Sequence, residues 1–225
     1  MLLHPSRQSF GVGVKVFDGA LGHTRGFSRT CHRRRDALDE ACVEWLGNDI
    51  VHAKGQIQTG VSGLHFGSHF QLREWPSSHW SSLAKELAKL NVNVVISGSA
   101  ADELKANQLA QEINLGDKVT VIAGKTSIAE FSNILLHAQA CISVNTGVAH
   151  LAGSLNVPTV ALNGPTNADR WGIQGENAVN LNVPKAQGGA FLSLGFEYPQ
   201  NPNYIMNQIS VDSVLDSLNA LDVLG

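Results

Sequence analysis

The sequence has few cysteines, no excess of positive charge and no long hydrophobic run. Its three cysteines, Cys31, Cys42 and Cys141, have no CxxC spacing, which argues against a disulfide framework and against a structural zinc site. Cys141 lies in an apolar run and is predicted to be buried. Lysine and arginine number 16 against 19 aspartates and glutamates, for a net charge of -3. Nucleic acid and anionic lipid are therefore not expected as general partners.

Targeting and membrane signals are also missing. The opening residues, MLLHPSRQSFGVGVKVF, lack the uninterrupted apolar stretch of a signal peptide. No apolar run reaches the ~18 residues of a membrane span, so we expect a cytoplasmic protein without a transmembrane segment. No G-x-G-x-x-G follows the first predicted strand, which disfavours an ordinary dinucleotide-binding domain.

From about residue 58 onward, short β-branched runs alternate with helical patterns. This alternation is typical of βαβ units and predicts an α/β fold with a Rossmann-like, doubly wound parallel sheet. The predicted strands are Val61 to Phe66, Asn93 to Ser97, Lys118 to Ala123, Ala140 to Val144, Thr159 to Leu162 and Ala178 to Asn182. The predicted helices are Ser77 to Leu90, Ala101 to Ile113, Ser127 to His137, Gly147 to Leu155 and Ser210 to Leu224.

The two remaining segments give weaker patterns. Residues 184 to 204 are rich in Gly, Pro and Asn and are predicted to form a long surface loop. The first 58 residues show no sustained strand or helix before about Asp36 to Leu46, and they are assigned no domain of their own. The HRRRD cluster there is interpreted as a solvated charge run at a helix start, with a phosphate-binding patch as the alternative.

Ligands of open parallel sheets bind at the carboxyl ends of the strands, where helix N-termini present free N–H groups. After the fourth predicted strand come Asn145, Thr146 and Gly147, with His150 on the same face of the following helix. Thr146 is expected to cap this helix, and Gly147 to let a ligand approach the backbone. A Gly164-Pro165-Thr166 loop follows the fifth strand. These two loops predict a diphosphate-binding cradle.

Each of these elements has a plainer alternative. A Thr-Gly pair is common in α/β turns, a lone histidine is more often partly buried than a ligand contact, and the segment from Gly164 to Thr166 alone is a turn. Gly98 and Ser99, after the second strand, either touch a ribose or base or form a tight βα connection.

Three segments resemble glycosyltransferase family 9, whose best-known members are the lipopolysaccharide heptosyltransferases. SVNTGVAHLAGSLNVPTVALNGPTNADRWGIQG is similar to the family's DTG-x-x-H-L-A signature, helix, strand and GPT loop. HFGSHFQLREWPSSHWSSLAKEL is similar to its segment with a glycine-containing loop, a Lys or Arg, Trp-Pro and a helix. IMNQISV resembles its Met-x-x-Ile segment. The motifs occur in the family's order and cover residues 60 to 225.

The resemblance implies a GT-B architecture, in which two Rossmann-like lobes face a cleft and the C-terminal lobe holds a nucleotide-diphosphate sugar. Residues 59 to 225 correspond to that lobe and residues 1 to 58 to a remnant of the N-terminal one. Trp75 and Pro76 are expected to be structural. The implied donor-binding residues are Arg73, Gly98, Glu130, Asn145, Thr146, Gly147, His150, Gly164 and Thr166.

Two departures from the family pattern are evident. The family usually has aspartate where this chain has Asn145, which replaces a carboxylate with a neutral amide. The aspartate proposed as general base lies in the family's N-terminal lobe, and only about 58 unpatterned residues stand in that place here. His23 stands where an aspartate of that lobe is expected, and we do not assign it as base, so the catalytic residue is unknown.

The resemblance implies transfer of a sugar, with heptose from an ADP-linked donor as the candidate, to a lipopolysaccharide core or similar saccharide. It implies no cofactor and no metal, and it admits a peripheral contact with the inner membrane. His65 and His69 do not form a metal site by spacing, because no carboxylate or thiol completes a set. The alternatives are an inactive nucleotide-sugar-binding lobe and a GT-B relative such as a nucleotide-sugar epimerase.

Overall fold

The computed structural model describes residues 61–65, 71–194, 197 and 205–224. These residues belong to one compact unit that spans Leu46–Gly225. The predictions for the first 58 residues, including the helix near Asp36 and the HRRRD cluster, lie outside the described residues. The predicted boundary between residues 58 and 59 stays a prediction.

Six parallel strands form one sheet, which confirms the predicted fold class. The strands are β1 (Val61–His65), β2 (Asn93–Ser97), β3 (Val119–Val121), β4 (Ala140–Val144), β5 (Thr159–Asn163) and β6 (Ala178–Asn182). Their order across the sheet is β3-β2-β1-β4-β5-β6, and every neighbouring pair is parallel. The chain therefore winds outward in one direction from β1 and then in the other direction from β4.

Helices cover both faces of the sheet. They are α1 (Ser77–Lys89), α2 (Glu103–Ile113), α3 (Ile128–His137), α4 (Gly147–Ser154), α5 (Ala168–Trp171) and α6 (Val211–Ala220). Side chains of α1, α2 and α6 share one core with Leu64, Ile96 and Ile142 of the sheet. Side chains of α3 and α4 pack with Cys141 in a second cluster. Because neighbouring strand residues point to opposite faces, Cys141 and Ile142 belong to different clusters.

Helix boundaries follow local chemistry. Ser127 and Ser210 are the N-caps of α3 and α6, and each accepts a hydrogen bond from a first-turn backbone N–H. Three asparagines with positive φ, namely Asn91, Asn114 and Asn156, follow the ends of α1, α2 and α4. Asparagine tolerates this left-handed conformation better than most residues with a side chain, so it reverses the chain where glycine is otherwise common.

Two features differ from the sequence predictions. The short helix α5 was not predicted, because four residues give no periodic signal. The prediction of a surface loop over residues 184 to 204 was wrong for part of its first half. Leu192 is fully buried and bridges to Thr166, and a Cβ on Gly189 would overlap the Val183 carbonyl. Glycine and proline indicate irregular backbone, which does not have to be exposed.

Cys141 is confirmed as a core residue, since its side chain is 1% exposed. Burial raises the pKa of its thiol to about 12, so the thiol stays protonated and unreactive in the folded chain.

Trp75 joins the start of α1 to the segment before α6. Its indole Nε1 donates to the backbone oxygen of Ile209 at 2.9 Å, and its ring packs edge-on against Trp80 at 4.8 Å between centroids. Pro76 occupies the N-cap position of α1 and lacks a backbone N–H, which suits a helix start. The expectation that Trp75 and Pro76 are structural agrees with these contacts.

Replacing Trp75 with Phe should lower the free energy of unfolding by about 1–3 kcal/mol, because the buried Ile209 oxygen loses its donor. Trp171→Phe is the matched control. Trp171 Nε1 also donates to a backbone oxygen, that of Ser193 at 2.8 Å, but its side chain is 41% exposed. Water can replace that donor, so the loss should be below about 1 kcal/mol. Urea unfolding measures both, and equal losses would contradict the role of burial.

Candidate functional site

The strand order places a switch point between β1 and β4, which are hydrogen-bonded neighbours. The connection after β1 leads through α1 to β2 on one side, and that after β4 leads through α4 to β5 on the other. A crevice opens where such connections diverge. The turn Gln71–Arg73 follows β1, and Thr146 and Gly147 follow β4. Gln71 and Thr146, which are 75 positions apart in sequence, thus lie on the two sides of one switch point.

The start of α4 forms the wall on the β4 side. Thr146 is the N-cap by backbone conformation, but its side chain makes no capping hydrogen bond. Its hydroxyl lies 3.5 Å from Ser143 Oγ. The expectation of side-chain capping by Thr146 was therefore wrong, and the first-turn N–H groups have no acceptor from that side chain.

Space around this helix start is open. A Cβ built on Gly147 meets nothing within 4 Å, and both Gly147 and His150 are exposed. An anion approaching here meets first-turn N–H groups that the Thr146 side chain does not cap, the positive end of the helix dipole and one imidazole. Direct contact of these residues with a ligand stays a prediction.

Arg73 ends the turn on the β1 side and is half-buried. The carboxylates of Glu74 and Asp102 form contacts with other residues. Glu74 forms an ion pair with Lys105. Asp102 Oδ2 accepts hydrogen bonds from Ser99 N at 2.8 Å and from Ser99 Oγ at 2.6 Å. A cation beside the switch point suits a phosphate oxygen by charge and geometry.

A cavity of about 600 Å³ lies beside this turn, between the start of α1 and the face of α2. Gln71, Trp75, Lys105 and Met206 are among its lining residues. Thr146 and Gly147 do not contribute to its wall. The helix start with Thr146 and Gly147, where diphosphate binding is predicted, is thus separate from this cavity.

Asn145 is buried, at 6% exposure, and makes contacts within the protein. Its Nδ2 donates to Asn163 Oδ1 at 2.6 Å and to the Trp171 backbone oxygen at 2.8 Å. These bonds join the end of β4 to the end of β5 and to α5. The sequence identified Asn145 as a binding candidate but gave no sign of this network.

Gly164 and Thr166 belong to the loop that follows β5, and both are buried. A Cβ on Gly164 would overlap Met206 Sδ, and Thr166 is 3% exposed. Leu192 N donates to the Pro165 oxygen at 2.8 Å, which closes this loop against the segment near residue 190. Packing accounts for both residues in this structure, and their contact with a ligand stays a prediction.

Gly98 forms a tight connection after β2. A Cβ there would lie 2.8 Å from Asp102 Cβ and 3.4 Å from Ala123 Cβ. Its oxygen accepts from Gly124 N at 3.0 Å. These contacts favour the tight βα connection as the reason for glycine, and contact with a ribose or base stays a prediction.

Glu130 forms a capping box with Ser127 at the start of α3. Its Oε2 accepts from Ser127 N and from Ser127 Oγ, both at 2.7 Å. The backbone hydrogen bond from Ser127, and secondly the hydroxyl bond, lower the pKa of this carboxyl. Glu130 therefore stays ionised, and its other oxygen can accept a hydrogen bond from a ligand hydroxyl.

His65 is the last residue of β1 and lies at the switch point. In the sequence, the only role examined for it is that of a metal ligand. Its Nδ1 lies 3.2 Å from Ser97 Oγ, and that hydroxyl donates to the Leu64 oxygen at 3.3 Å. Because a hydroxyl has one proton, Nδ1 must be the donor to Ser97 and Nε2 an acceptor. Burial lowers the pKa of His65 to about 4, against an opposing effect of Asp102. The ring is neutral at pH 7.

A family model described as glycosyltransferase family 9 (heptosyltransferase) matches residues 32–191. This match extends over more than half of the chain and includes both sides of the switch point. The chain belongs to glycosyltransferase family 9.

Individual members of the family agree with this assignment. Lipopolysaccharide heptosyltransferase 1 of Pseudomonas aeruginosa is 34% identical over 159 residues, which are 68% of this chain and 43% of that protein. The solved ADP-heptose lps heptosyltransferase II of E. coli has a TM-score of 0.64 at 24% identity, over 77% of this chain and 50% of its own. An E. coli heptosyltransferase solved with ADP has a TM-score of 0.59 at 22% identity, over 76% of this chain and 48% of that one. The chain spans about half the length of these relatives.

Within the described ranges, no three His, Cys, Asp or Glu side chains are grouped so that they would hold a metal ion. Among the same residues, no helix has the length and apolar character for crossing a membrane.

Alanine substitution should change stability differently at the two glycines of the family 9 signature, Gly147 and Gly164. Gly164→Ala should lower the free energy of unfolding by about 1–3 kcal/mol, because its methyl overlaps Met206. Gly147→Ala adds a methyl in open space, so stability should change by less than about 0.5 kcal/mol. Thermal unfolding of the two variants measures this difference. The reverse order of stability would refute the packing described for Gly164.

The partly buried, neutral His65 should make stability depend on pH. The unfolded chain binds this proton below about pH 6.5 and the folded chain only below about pH 4. Stability is therefore lost as pH falls between those values, by up to about 3 kcal/mol. His65→Asn keeps a donor for Ser97 and removes the titration. Urea unfolding between pH 4.5 and 7 should show a weaker pH dependence for the variant, and parallel curves would contradict this assignment.

Proposed function

We propose that this chain is the donor-binding lobe of a glycosyltransferase that moves a sugar from a nucleotide-diphosphate donor to a saccharide acceptor. An ADP-linked heptose is the proposed donor and a lipopolysaccharide core the proposed acceptor. The names of the similar proteins support this choice, since they include lipopolysaccharide heptosyltransferase 1 and a heptosyltransferase solved with ADP.

The observation that carries the proposal is the uncapped start of α4 at the switch point. The Thr146 side chain accepts no hydrogen bond from the first-turn N–H groups, and a Cβ on Gly147 would meet nothing within 4 Å. Arg73 follows the neighbouring strand and adds a full positive charge. A diphosphate has the charge and the oxygen acceptors to engage both groups at once.

This arrangement suits the leaving group of sugar transfer. Negative charge grows on the diphosphate as the glycosidic bond breaks, and fixed N–H donors stabilise that charge without reorganising. Arg73 would neutralise a phosphate oxygen, and Thr146 and His150 would donate to the diphosphate or sugar. Glu130 would accept a hydrogen bond from a ribose or sugar hydroxyl. The proposal assigns no general base to the described residues.

The remaining partners are proposed on the same basis. The reaction would use the nucleotide sugar as substrate and would need no metal or organic cofactor. The protein would work in the cytoplasm, with peripheral contact at the inner membrane where a lipid-linked acceptor is presented.

Calorimetric titration of the purified chain with ADP, UDP and GDP tests donor binding. We expect saturable binding with preference for ADP. Arg73→Ala should weaken the affinity by about 10- to 100-fold, since it removes a charge-assisted hydrogen bond. Thr146→Ala should weaken it by about 3- to 10-fold, because a neutral donor contributes less.

Lys89→Ala is the control for loss of a positive charge. Lys89 lies at the opposite end of α1 from the switch point and pairs with exposed Glu86. Its removal should leave ADP affinity unchanged. Absence of binding to all three nucleotides, or equal weakening by Lys89→Ala and Arg73→Ala, would refute the proposed site.

A further inference from the structure

Three asparagines form a chain of side-chain amides at the carboxyl edge of the sheet. Asn145 follows β4, Asn163 ends β5 and Asn180 lies in β6. Asn145 Nδ2 donates to Asn163 Oδ1 at 2.6 Å, and Asn163 Nδ2 donates to Asn180 Oδ1 at 3.2 Å. In such a chain, the nitrogen of each amide donates to the oxygen of the next one. The chain therefore forms only if all three amides have the same donor-to-acceptor orientation.

The backbone of Ile173 fixes the first orientation. Ile173 N donates to Asn180 Oδ1 at 3.0 Å, and Asn180 Nδ2 donates to the Ile173 oxygen at 3.0 Å. A backbone N–H can only donate and a carbonyl can only accept. Asn180 therefore cannot be reversed, and its Oδ1 must face Asn163.

This constraint passes along the chain to Asn145. Asn163 Nδ2 donates to Asn180 Oδ1 and to the Ala161 oxygen at 3.1 Å, so its Oδ1 faces Asn145. The Trp171 oxygen, 2.8 Å from Asn145 Nδ2, is a second acceptor. The side chain at position 145 thus meets two acceptors and must supply two N–H donors.

We infer that Asn145 is a positioning residue for which an amide is required, and that aspartate, which has the same shape but no N–H donors, does not fit this chain. An ionised carboxylate would place its oxygens against two other oxygens in a buried site. The amide instead holds the Trp171–Ile173 segment against the strand ends, beside the start of α4. The inference rests on the proposed function for its effect on ligand binding.

One consequence concerns what Asn145 can offer a ligand. Both Nδ2 protons are engaged inside the protein, so Oδ1 is the atom left for an external contact. Asn145 can therefore accept a hydrogen bond from a sugar hydroxyl as a carboxylate would, but without negative charge beside the diphosphate. It cannot donate to a phosphate oxygen without breaking the amide chain.

Asn145→Asp tests the requirement through its pH dependence. At pH 8 we expect Tm to fall by about 10 °C, since the buried carboxylate is ionised and faces two acceptors. Burial raises the folded pKa of such a carboxyl above its unfolded value. The variant is therefore relatively most stable at low pH and loses stability as pH rises. Between pH 8 and pH 5 the Tm deficit should shrink by at least about half, because the protonated acid donates again.

Two further variants keep the test decisive. Asn182→Asp places the same change at an exposed position of β6, and its Tm should differ from wild type by less than about 2 °C at both pH values. Asn145→Ala removes the donors without adding an acceptor. At pH 8 its Tm should lie between those of wild type and Asn145→Asp. If Asn145→Asp does not fold at either pH, an Asn145→Ala variant as stable as wild type would still overturn the inference.

ADP titration separates positioning from stability alone. In folded Asn145→Asp, ADP affinity relative to wild type should be at least about 10-fold weaker at pH 8 and should recover at pH 5.5. Asn182→Asp should bind ADP like wild type at both pH values. Wild-type Tm for Asn145→Asp at pH 8, or a deficit independent of pH, overturns the inference. If wild type itself does not bind ADP, the proposed function fails, while the Tm comparison still decides the requirement for an amide.

Discussion

Parallel pairing of all six strands is the constraint on which the rest of this structure depends. Each parallel connection must cross the sheet, so every strand ends at the same edge and every helix returns the chain to the opposite edge. As a result, Arg73 and Trp171, which follow different strands, lie along the same edge of the sheet. The order β3-β2-β1-β4-β5-β6 then opens the crevice between β1 and β4. The set of side chains at the candidate site is thus determined by the strand order as much as by local sequence motifs.

The parts of the fold that could be predicted from sequence are those with a periodic or capping signal. All six strands were predicted as apolar runs, and Ser127 and Ser210 mark the starts of α3 and α6. The asparagine chain could not be predicted, because its members are 17 and 18 residues apart and their pairing requires the register of β4, β5 and β6. The tautomer of His65 likewise depends on Ser97 of a neighbouring strand.

Three acidic side chains near the candidate site form hydrogen bonds or an ion pair within the protein. Asp102 and Glu130 each accept hydrogen bonds from a serine at a helix start, and Glu74 pairs with Lys105. Negative charge at this edge is therefore neutralised by helix N-termini and by a lysine, which limits its repulsion of an anionic ligand. Asn145, Thr146 and Gly147, at the start of α4, carry no charged side chain.

The segment from Ile205 to Ala220 follows all six strands in the chain, yet it packs beneath elements formed much earlier. Met206 lies against Gly164, and Ile209 accepts the hydrogen bond of Trp75, which is 134 residues away in sequence. During synthesis on a ribosome, the sheet can pair before this segment emerges, but the loop after β5 and the entry to α1 remain without their supports. The packing around Gly164 and Trp75 is therefore completed only after this segment has left the ribosome, and until then the apolar surface there stays uncovered.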